Sequence, residues 1–132
     1  AGHNPTLLVR NGEVREFPKT EGFLLGPNPD ATYEGGSIGL LPGDTLVLYT
    51  DGIVEAEGPG GFYGMDRMQA CLARNAHLSC EGAVRALRAD VHRFVDGYPQ
   101  SDDITVLMVR YRPSEIEPRS SGNGNTATRK EA

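Results

Sequence analysis

The chain has 132 residues, of which 38% are hydrophobic, so it is long enough and apolar enough to bury one core. Its 13 Lys and Arg residues against 18 Asp and Glu residues give a net charge of −5 at pH 7, which argues against a general binder of nucleic acids or anionic membranes. No apolar run reaches the roughly 20 residues of a membrane helix. Cys71 and Cys80 lack zinc-site spacing, so we expect reduced thiols in a cytoplasmic protein.

The first predicted element is a β-hairpin. Two strand-like runs, 6–10 and 13–17, flank Asn11-Gly12, a dipeptide typical of two-residue hairpin turns. A loop of this length sets Arg10 opposite Glu13, which pairs opposite charges across the two strands.

The next predicted element is a buried strand from Leu46 to Tyr49, which we expect to be covered on both faces. Pro42-Gly43 before it fits the centre of a type II turn. With an extended segment over 31–41, this turn would make the strand the second arm of a hairpin. Asp51 follows as the apolar run ends, and Gly52 stands where the backbone must bend sharply or approach something closely.

Two amphipathic helices are predicted in the second half of the chain. Residues 53–56 are expected to form one helical turn and 58–61 a flexible loop. Ser79 is a good N-cap for the second helix. Apolar residues then recur at helical spacing as two core-facing stripes, Met65, Met68, Leu72 and Ala76 in the first helix and Val84, Leu87, Val91, Phe94 and Val95 in the second.

Carboxylates stand at the ends of two predicted buried strands. Asp51 leaves the first, and Asp102-Asp103 leads into a second central strand over 104–109. If the strands are antiparallel neighbours, Asp51 and Asp102 meet at one rim. Oxygen ligands suit Mg²⁺ or Mn²⁺, and two such ions about 3.5–4 Å apart can activate a water against phosphorus. Each motif alone also fits an ordinary turn or polar break, so that alternative stays open.

The end of the chain differs in composition from the rest. Beyond Arg112, Pro, Ser, Gly, Asn and Thr dominate, and Ile116 is the only large apolar residue. Such a segment buries too little surface to fold. We therefore expect a folded part over 1–112 and a disordered tail over 113–132.

Five landmarks in order give the sequence a specific resemblance. They are Ala1 to Pro5 (AGHNP), Pro42 to Asp44 (PGD), Tyr49 to Ala56 (YTDGIVEA), Phe62 to Gly64 (FYG) and Asp102 to Thr105 (DDIT). Together they resemble the PPM-type metal-dependent serine/threonine phosphatases of the bacterial SpoIIE- and RsbU-like branch. The resemblance implies an α+β fold, a partial α-β-β-α sandwich with antiparallel sheets flanked by helices, of which residues 1–112 are the C-terminal portion.

The same resemblance implies a function. Such enzymes hold two ions, Mn²⁺ or Mg²⁺, and hydrolyse a phosphomonoester with an activated water and no phosphoenzyme. Their typical substrate is a phosphoserine or phosphothreonine on an anti-sigma-factor antagonist. They often follow a sensor or receiver domain in the same polypeptide.

The resemblance also assigns individual residues. Asp51 and Asp102 match the aspartates that ligate one metal ion. Asp103 matches the neighbouring polar position, which acts indirectly or through a water. Gly52 allows close backbone packing beside the ion, and Glu55 supports the loop rather than binding metal. No catalytic side chain is assigned.

One part of the family pattern has no match here. The first half of such a domain supplies the aspartate that bridges both metals, whereas this chain begins with Ala1 at a landmark that normally lies mid-domain. Asp51 and Asp102 alone are expected to hold at most one ion weakly, and open sheet edges leave room for a homodimer. We also expect His3, near the terminus, to be structural or solvated rather than a general acid.

Three hypotheses follow. The favoured one is a portion of an active phosphatase, and the loop from Glu57 to Gly64 is then expected to shape the substrate entrance. The second is a non-catalytic phosphatase-like module that binds a regulatory partner. The third is a structural domain whose acidic strand ends have no function.

Overall fold

A computed structural model describes residues 4–17, 25–99 and 102–113. The strands are β1 (Leu7–Arg10), β2 (Glu13–Glu16), β3 (Thr45–Tyr49), β4 (Glu57–Gly58), β5 (Gly61–Phe62) and β6 (Val106–Arg110), and the helices are α1 (Gly64–Arg74) and α2 (Cys80–Val95). Four strands form an antiparallel sheet in the order β2-β1-β3-β6, and β4 pairs with β5. The predicted α+β class, with antiparallel sheets and helices, is confirmed.

The two predicted turns are present. Asn11 and Gly12 have φ of 53° and 81°, which the two-residue hairpin turn requires, and Arg10 pairs with Glu13 in the register. Gly43 has φ of 91°, and the Asp44 N–H donates to the Leu41 carbonyl at 3.0 Å, as in a type II turn.

The predicted partner of β3 was wrong. Residues 31–41 contain no strand, so no hairpin arm precedes β3 in this segment. Instead β3 lies between β1 and β6 and is antiparallel to both. The strand therefore takes its hydrogen bonds from distant parts of the chain, which local turn chemistry cannot indicate.

The sheet is covered on one face by the helices. Val47 and Tyr49 are buried on that face, whereas Leu46 and Leu48 on the other are only half-buried. β6, predicted to be central, is the last strand in the order of the described sheet, and its Leu107 is 54% exposed. The expectation of cover on both faces is thus wrong for the described residues, because both helices pack on one face.

Both predicted helices are present, and Met68, Leu72, Leu87 and Val91 of the predicted stripes are buried. The other stripe residues are partly buried against the core, and Ala76 lies beyond the end of α1. The core beneath them joins strand residues to helix residues, namely Leu7, Val9, Val47, Tyr49 and Met108 with Met68, Cys71, Leu72, Ala83, Leu87 and Val91. Ser79 caps α2, since its Oγ accepts the Gly82 N–H at 3.1 Å. Cys71 and Cys80 are free thiols, as predicted.

Residues 58–61 do not form the predicted flexible loop. Gly58 and Gly61 pair across a tight turn in the β4–β5 hairpin. A Cβ at Gly58 would lie 2.5 Å from the Phe94 carbonyl oxygen, so this glycine lets the hairpin press on the end of α2.

Several expectations fall on other parts of the chain. His3 and residues 114–132 of the predicted tail lie outside the described residues. Neither α1 nor α2, the helices of the described part, is long and apolar enough to cross a bilayer.

Candidate metal-binding rim

Antiparallel pairing of β3 and β6 brings the predicted acidic segments to one rim of the sheet. Tyr49 pairs with Val106 at the last position of the strand register. The Thr50 N–H then donates to the Thr105 carbonyl at 3.1 Å, which continues the ladder one residue further. Asp51 therefore leaves the sheet where Asp102 and Asp103 approach it. The conditional prediction that these segments are neighbours is confirmed.

The side chain of Thr50 ties the two segments together. Its hydroxyl donates to the Asp103 carbonyl at 2.8 Å and accepts the Thr105 N–H at 3.0 Å. Thr50 was not among the residues predicted for the site, although a hydroxyl side chain directly before Asp51 was the available signal.

Gly52 lies directly against the second acidic segment. A Cβ at this position would stand 2.5 Å from the Asp103 carbonyl oxygen and 3.0 Å from its carbon. No side chain larger than hydrogen fits without a backbone shift, so the close approach predicted for Gly52 is present.

Asp51 opens a single turn of backbone hydrogen bonds. The Glu55 N–H donates to the Asp51 carbonyl at 2.8 Å, and the Ile53 N–H to the Thr50 carbonyl at 3.3 Å. The predicted helical turn over 53–56 thus starts two residues earlier and stops after one turn. Both the Asp51 and Glu55 side chains are exposed, so they face solvent at the rim.

This turn is fastened to the start of α1. The Tyr63 N–H donates to the Ala56 carbonyl and the Gly64 N–H to the Val54 carbonyl, each at 2.9 Å. The Tyr63 side chain is 1% exposed, and its hydroxyl donates to Asp90 Oδ2 at 2.6 Å. Burial, together with the nearby Asp90 carboxylate, raises the pKa of Tyr63 far above its ordinary value, so the phenol stays protonated as a donor.

Asp90 connects α2 to its surroundings. Its Oδ1 lies 3.2 Å from Arg93 and 3.5 Å from Arg74 of α1. The Arg67 guanidinium stacks over the Phe94 ring, 4.7 Å from the centroid, and Tyr63 meets that ring edge-on. The turn after Asp51 is thus held through Tyr63 to both helices.

A second ion pair supports the start of β3. Asp44 is 2% exposed, and it accepts hydrogen bonds from Arg10 to both carboxylate oxygens at 2.9 and 2.6 Å. The Leu41 N–H also donates to Asp44, at 2.7 Å. These bonds, that of Arg10 foremost, hold the pKa of Asp44 below its usual range.

The charge pairing predicted between Arg10 and Glu13 was wrong, because Arg10 pairs with Asp44. Arg10 does face Glu13 in the register, but its guanidinium reaches Asp44, and Glu13 forms an ion pair with Arg15 instead. A buried carboxylate offers Arg10 a bidentate partner, which an exposed glutamate cannot match in strength.

An apolar cleft of about 460 Å³ opens beside the rim. It runs from Gly52 between the following turn and α2, and Arg88 and His92 add polar groups to its wall. Of the predicted entrance loop from Glu57 to Gly64, Glu57 alone is among its lining residues. That loop's role in substrate entry stays a prediction.

The donor chemistry of the rim fits a hard cation in part. Asp51, Asp102 and Asp103 are exposed, and carboxylate oxygens suit Mg²⁺ and Mn²⁺. Asp102 Oδ1 also accepts the Asp103 N–H at 2.7 Å, which orients that carboxylate. Within 4–17, 25–99 and 102–113, no cluster of three or more His, Cys, Asp or Glu residues has metal-binding geometry. The described residues of the rim therefore do not supply a full coordination shell for a metal ion.

Two curated proteins are similar in sequence to this chain. Protein IcfG of Synechocystis sp. (strain ATCC 27184 / PCC 6803 / Kazusa) is 30% identical over 110 residues, which are 83% of this chain and 17% of that protein. Phosphoserine phosphatase RsbU of Bacillus subtilis (strain 168) is 24% identical over 111 residues, 83% of this chain and 33% of that protein. The chain thus spans a third or less of these relatives.

Two solved structures share the fold. The SiaA-PP2C domain of Pseudomonas aeruginosa has a TM-score of 0.65 and 27% identity, over 81% of this chain and 42% of that one. The phosphatase domain of SpoIIE from Bacillus subtilis, presoaked with Mn, has a TM-score of 0.54 and 22% identity, over 84% of this chain and 48% of that one. At this lower identity the likeness shows the fold alone.

An antiparallel sheet flanked by two helices, with acidic segments paired at one rim, is the architecture of part of a PPM-type phosphatase domain. The family model of Stage II sporulation protein E (SpoIIE) matches residues 1–112, and the chain belongs to this family.

Proposed function

We propose that this chain forms one side of the active site of a metal-dependent phosphatase that hydrolyses phosphoserine or phosphothreonine in proteins. The observation that supports the proposal is the antiparallel pairing of β3 and β6, which sets Asp51 beside Asp102 and Asp103 in a SpoIIE-family fold. Backbone pairing brings the two acidic segments to one rim before any ion binds, and such preorganisation would favour cation binding there.

Asp51 and Asp102 are the proposed ligands, and Mn²⁺ or Mg²⁺ the proposed cofactor, with two ions in the complete domain. A bound divalent ion of this kind activates water and offsets charge on phosphoryl oxygens. Gly52 lets the backbone of the two segments pack closely, and the Glu55 N–H fixes the turn after Asp51. Asp103 joins the site through its neighbours, since its carbonyl accepts the Thr50 hydroxyl.

We propose a phosphorylated regulator of the anti-sigma-factor antagonist type as substrate. Support comes from the match to Phosphoserine phosphatase RsbU. A sensor or receiver domain earlier in a longer polypeptide and a cytoplasmic location complete the proposal. The free thiol of the buried Cys71 fits a reducing compartment.

The structure also supports a homodimer as part of the proposal. β6 ends the described sheet, and its apolar side chains Leu107 and Val109 are 54% and 49% exposed. An open edge with an apolar face favours pairing with a second sheet, either from the same polypeptide or from another copy.

A second candidate is a phosphatase-like module that binds a partner without turnover. It is favoured by the metal-ligand count, because the described residues contain no cluster of three or more ligand-type side chains. Such a module would bind a regulator stoichiometrically and independently of Mn²⁺.

The test is hydrolysis of p-nitrophenyl phosphate with and without Mn²⁺. Activity that requires both Mn²⁺ and Asp102 supports the phosphatase. Asp102→Asn should abolish it, whereas Asp30→Asn, an exposed aspartate in another loop, should not. Equal activity in Asp102→Asn contradicts the proposed ligand. No activity in a sample shown to be folded by circular dichroism favours the partner-binding module.

A further inference from the structure

At the rim, Thr50 makes a set of hydrogen bonds to Asp103 and Thr105 that we call the Thr50 clip, and part of this set comes from its side chain, not from backbone pairing. Thr50 makes three bonds to the approaching segment, with its N–H to the Thr105 carbonyl, its hydroxyl to the Asp103 carbonyl, and its Oγ1 from the Thr105 N–H. Two of these bonds depend on the side chain. They join Thr50, the residue before Asp51, to Asp103 and to Thr105, the residue before β6.

The position of the clip gives it control over the separation of the acidic segments. The register of β3 with β6 ends at Tyr49 and Val106, so Asp51 and Asp102 both lie beyond it. Gly52 has no Cβ, so the Asp103 carbonyl can lie close to its backbone, but the absence of a side chain does not itself hold the two segments together. The Thr50 hydroxyl does so by donating to the Asp103 carbonyl.

We propose that Thr50 is a positioning residue, whose hydroxyl fixes the separation of Asp51 and Asp102 and thereby sets the affinity of the rim for a divalent cation. This inference rests on the proposed function, because it takes the two aspartates as ligands. Thr50 is not a ligand in this proposal. It acts only through the backbone of Asp103 and Thr105.

The test compares four substitutions in the present chain. Thr50→Val keeps the size and branching of threonine but removes the hydroxyl, and Thr50→Ser restores the hydroxyl. Thr105→Val is the matched control, because Thr105 enters the clip through its backbone and its side chain is exposed. Asp51→Asn removes a proposed ligand.

Titration with Mn²⁺ alone, read as paramagnetic broadening of amide resonances, gives an apparent affinity that needs no turnover. We expect broadening centred on the rim in the wild type, loss of it in Asp51→Asn, and an affinity several-fold lower in Thr50→Val. Thr50→Ser and Thr105→Val should stay near the wild type. Hydrogen exchange of the Thr105 amide provides a metal-free measure, and it should speed up in Thr50→Val only.

The outcomes separate the two proposals. Wild-type affinity in a Thr50→Val protein whose Thr105 amide exchanges faster would overturn the positioning role and leave the metal site standing. Broadening that is unchanged in Asp51→Asn, or absent from the wild type, would overturn both the proposed metal site and the positioning role of Thr50. If Thr50→Val does not fold, Thr50→Ala serves instead, since it removes the hydroxyl without placing an extra methyl near the Asp103 carbonyl.

Discussion

Asp44 is almost fully buried at the start of β3, and Arg10, 34 positions earlier at the end of β1, donates to both of its carboxylate oxygens. The same guanidinium donates to the Gly39 carbonyl at 3.0 Å. One side chain thus holds the β1 end, the turn before β3 and the segment ahead of that turn. The pair thus anchors the non-local pairing of β1 with β3.

The lowered pKa of Asp44 predicts a loss of stability in acid. Its ionised form is favoured in the folded state, so its contribution is complete above the pKa of an unfolded aspartate, about 3.9. That contribution disappears as the pH falls through the lower folded pKa. Asp44→Asn should therefore be clearly less stable than the wild type at neutral pH, with the difference shrinking below about pH 4.

Urea unfolding followed by circular dichroism from neutral pH into acid measures this difference. Asp30→Asn, at an exposed position, is the control and should follow the wild type throughout. A difference between wild type and Asp44→Asn that does not change with pH would contradict the role given to the ionised carboxylate.

Close packing of Gly52 predicts that a single methyl group is damaging there. Gly52→Ala would place its Cβ 2.5 Å from the Asp103 carbonyl oxygen, so the backbone must shift. We expect a loss of about 1–3 kcal/mol in the free energy of unfolding, as for other overpacked sites. Gly60→Ala is the matched control, because a Cβ there meets nothing within 4 Å. Equal stability of the two variants in urea unfolding would contradict the close contact of Gly52 with the Asp103 carbonyl.

Local patterns were enough to predict the first hairpin, strands β3 and β6 and both helices, but they missed the β4–β5 hairpin and could not predict which distant strands pair. The Asn11-Gly12 turn, the Ser79 cap and the helical stripes each follow from spacing within a short stretch of chain. The order of the sheet depends on which distant strands meet, so β3 was given a hairpin partner that residues 31–41 do not provide.

The candidate site shows the same division. The predicted neighbourhood of Asp51 and Asp102 required only that β3 and β6 be antiparallel neighbours, and they are. The partner of Arg10 could not be predicted, since strand register pointed to Glu13 and only tertiary packing buries Asp44. Likewise, the hydroxyl of Thr50 before Asp51 indicated a hydrogen bond, but only the tertiary pairing shows that its partners are the backbone groups of Asp103 and Thr105.

The hydrogen bond from the Tyr63 hydroxyl to Asp90 predicts that removing this hydroxyl lowers the stability of the fold measurably. Tyr63→Phe keeps the ring against Phe94 but leaves Asp90 Oδ2 without this donor. A hydrogen bond to a charged group contributes about 1.5–3 kcal/mol to stability. We expect Tyr63→Phe to lower the free energy of unfolding by an amount near the lower end of that range, because Arg74 and Arg93 still contact Asp90.

A double-mutant cycle separates this bond from general packing. Asp90→Asn and Tyr63→Phe are measured singly and together by urea unfolding, and non-additive losses would show that the two groups interact. Strictly additive losses would mean that each residue acts through other contacts.

The one-sided cover of the sheet predicts opposite results for two adjacent residues of β6. Met108 is 9% exposed and lies in the core against the helices, whereas Leu107 is 54% exposed on the open face. Met108→Ala should cost about 2–5 kcal/mol, the usual range for deleting a large buried side chain. At protein concentrations low enough to keep the chain monomeric, Leu107→Ala should change the free energy of unfolding by less than about 0.5 kcal/mol, as for surface positions. If Leu107→Ala costs as much as Met108→Ala and the loss grows with protein concentration, the open face is covered by another copy in solution, since stability then depends on association.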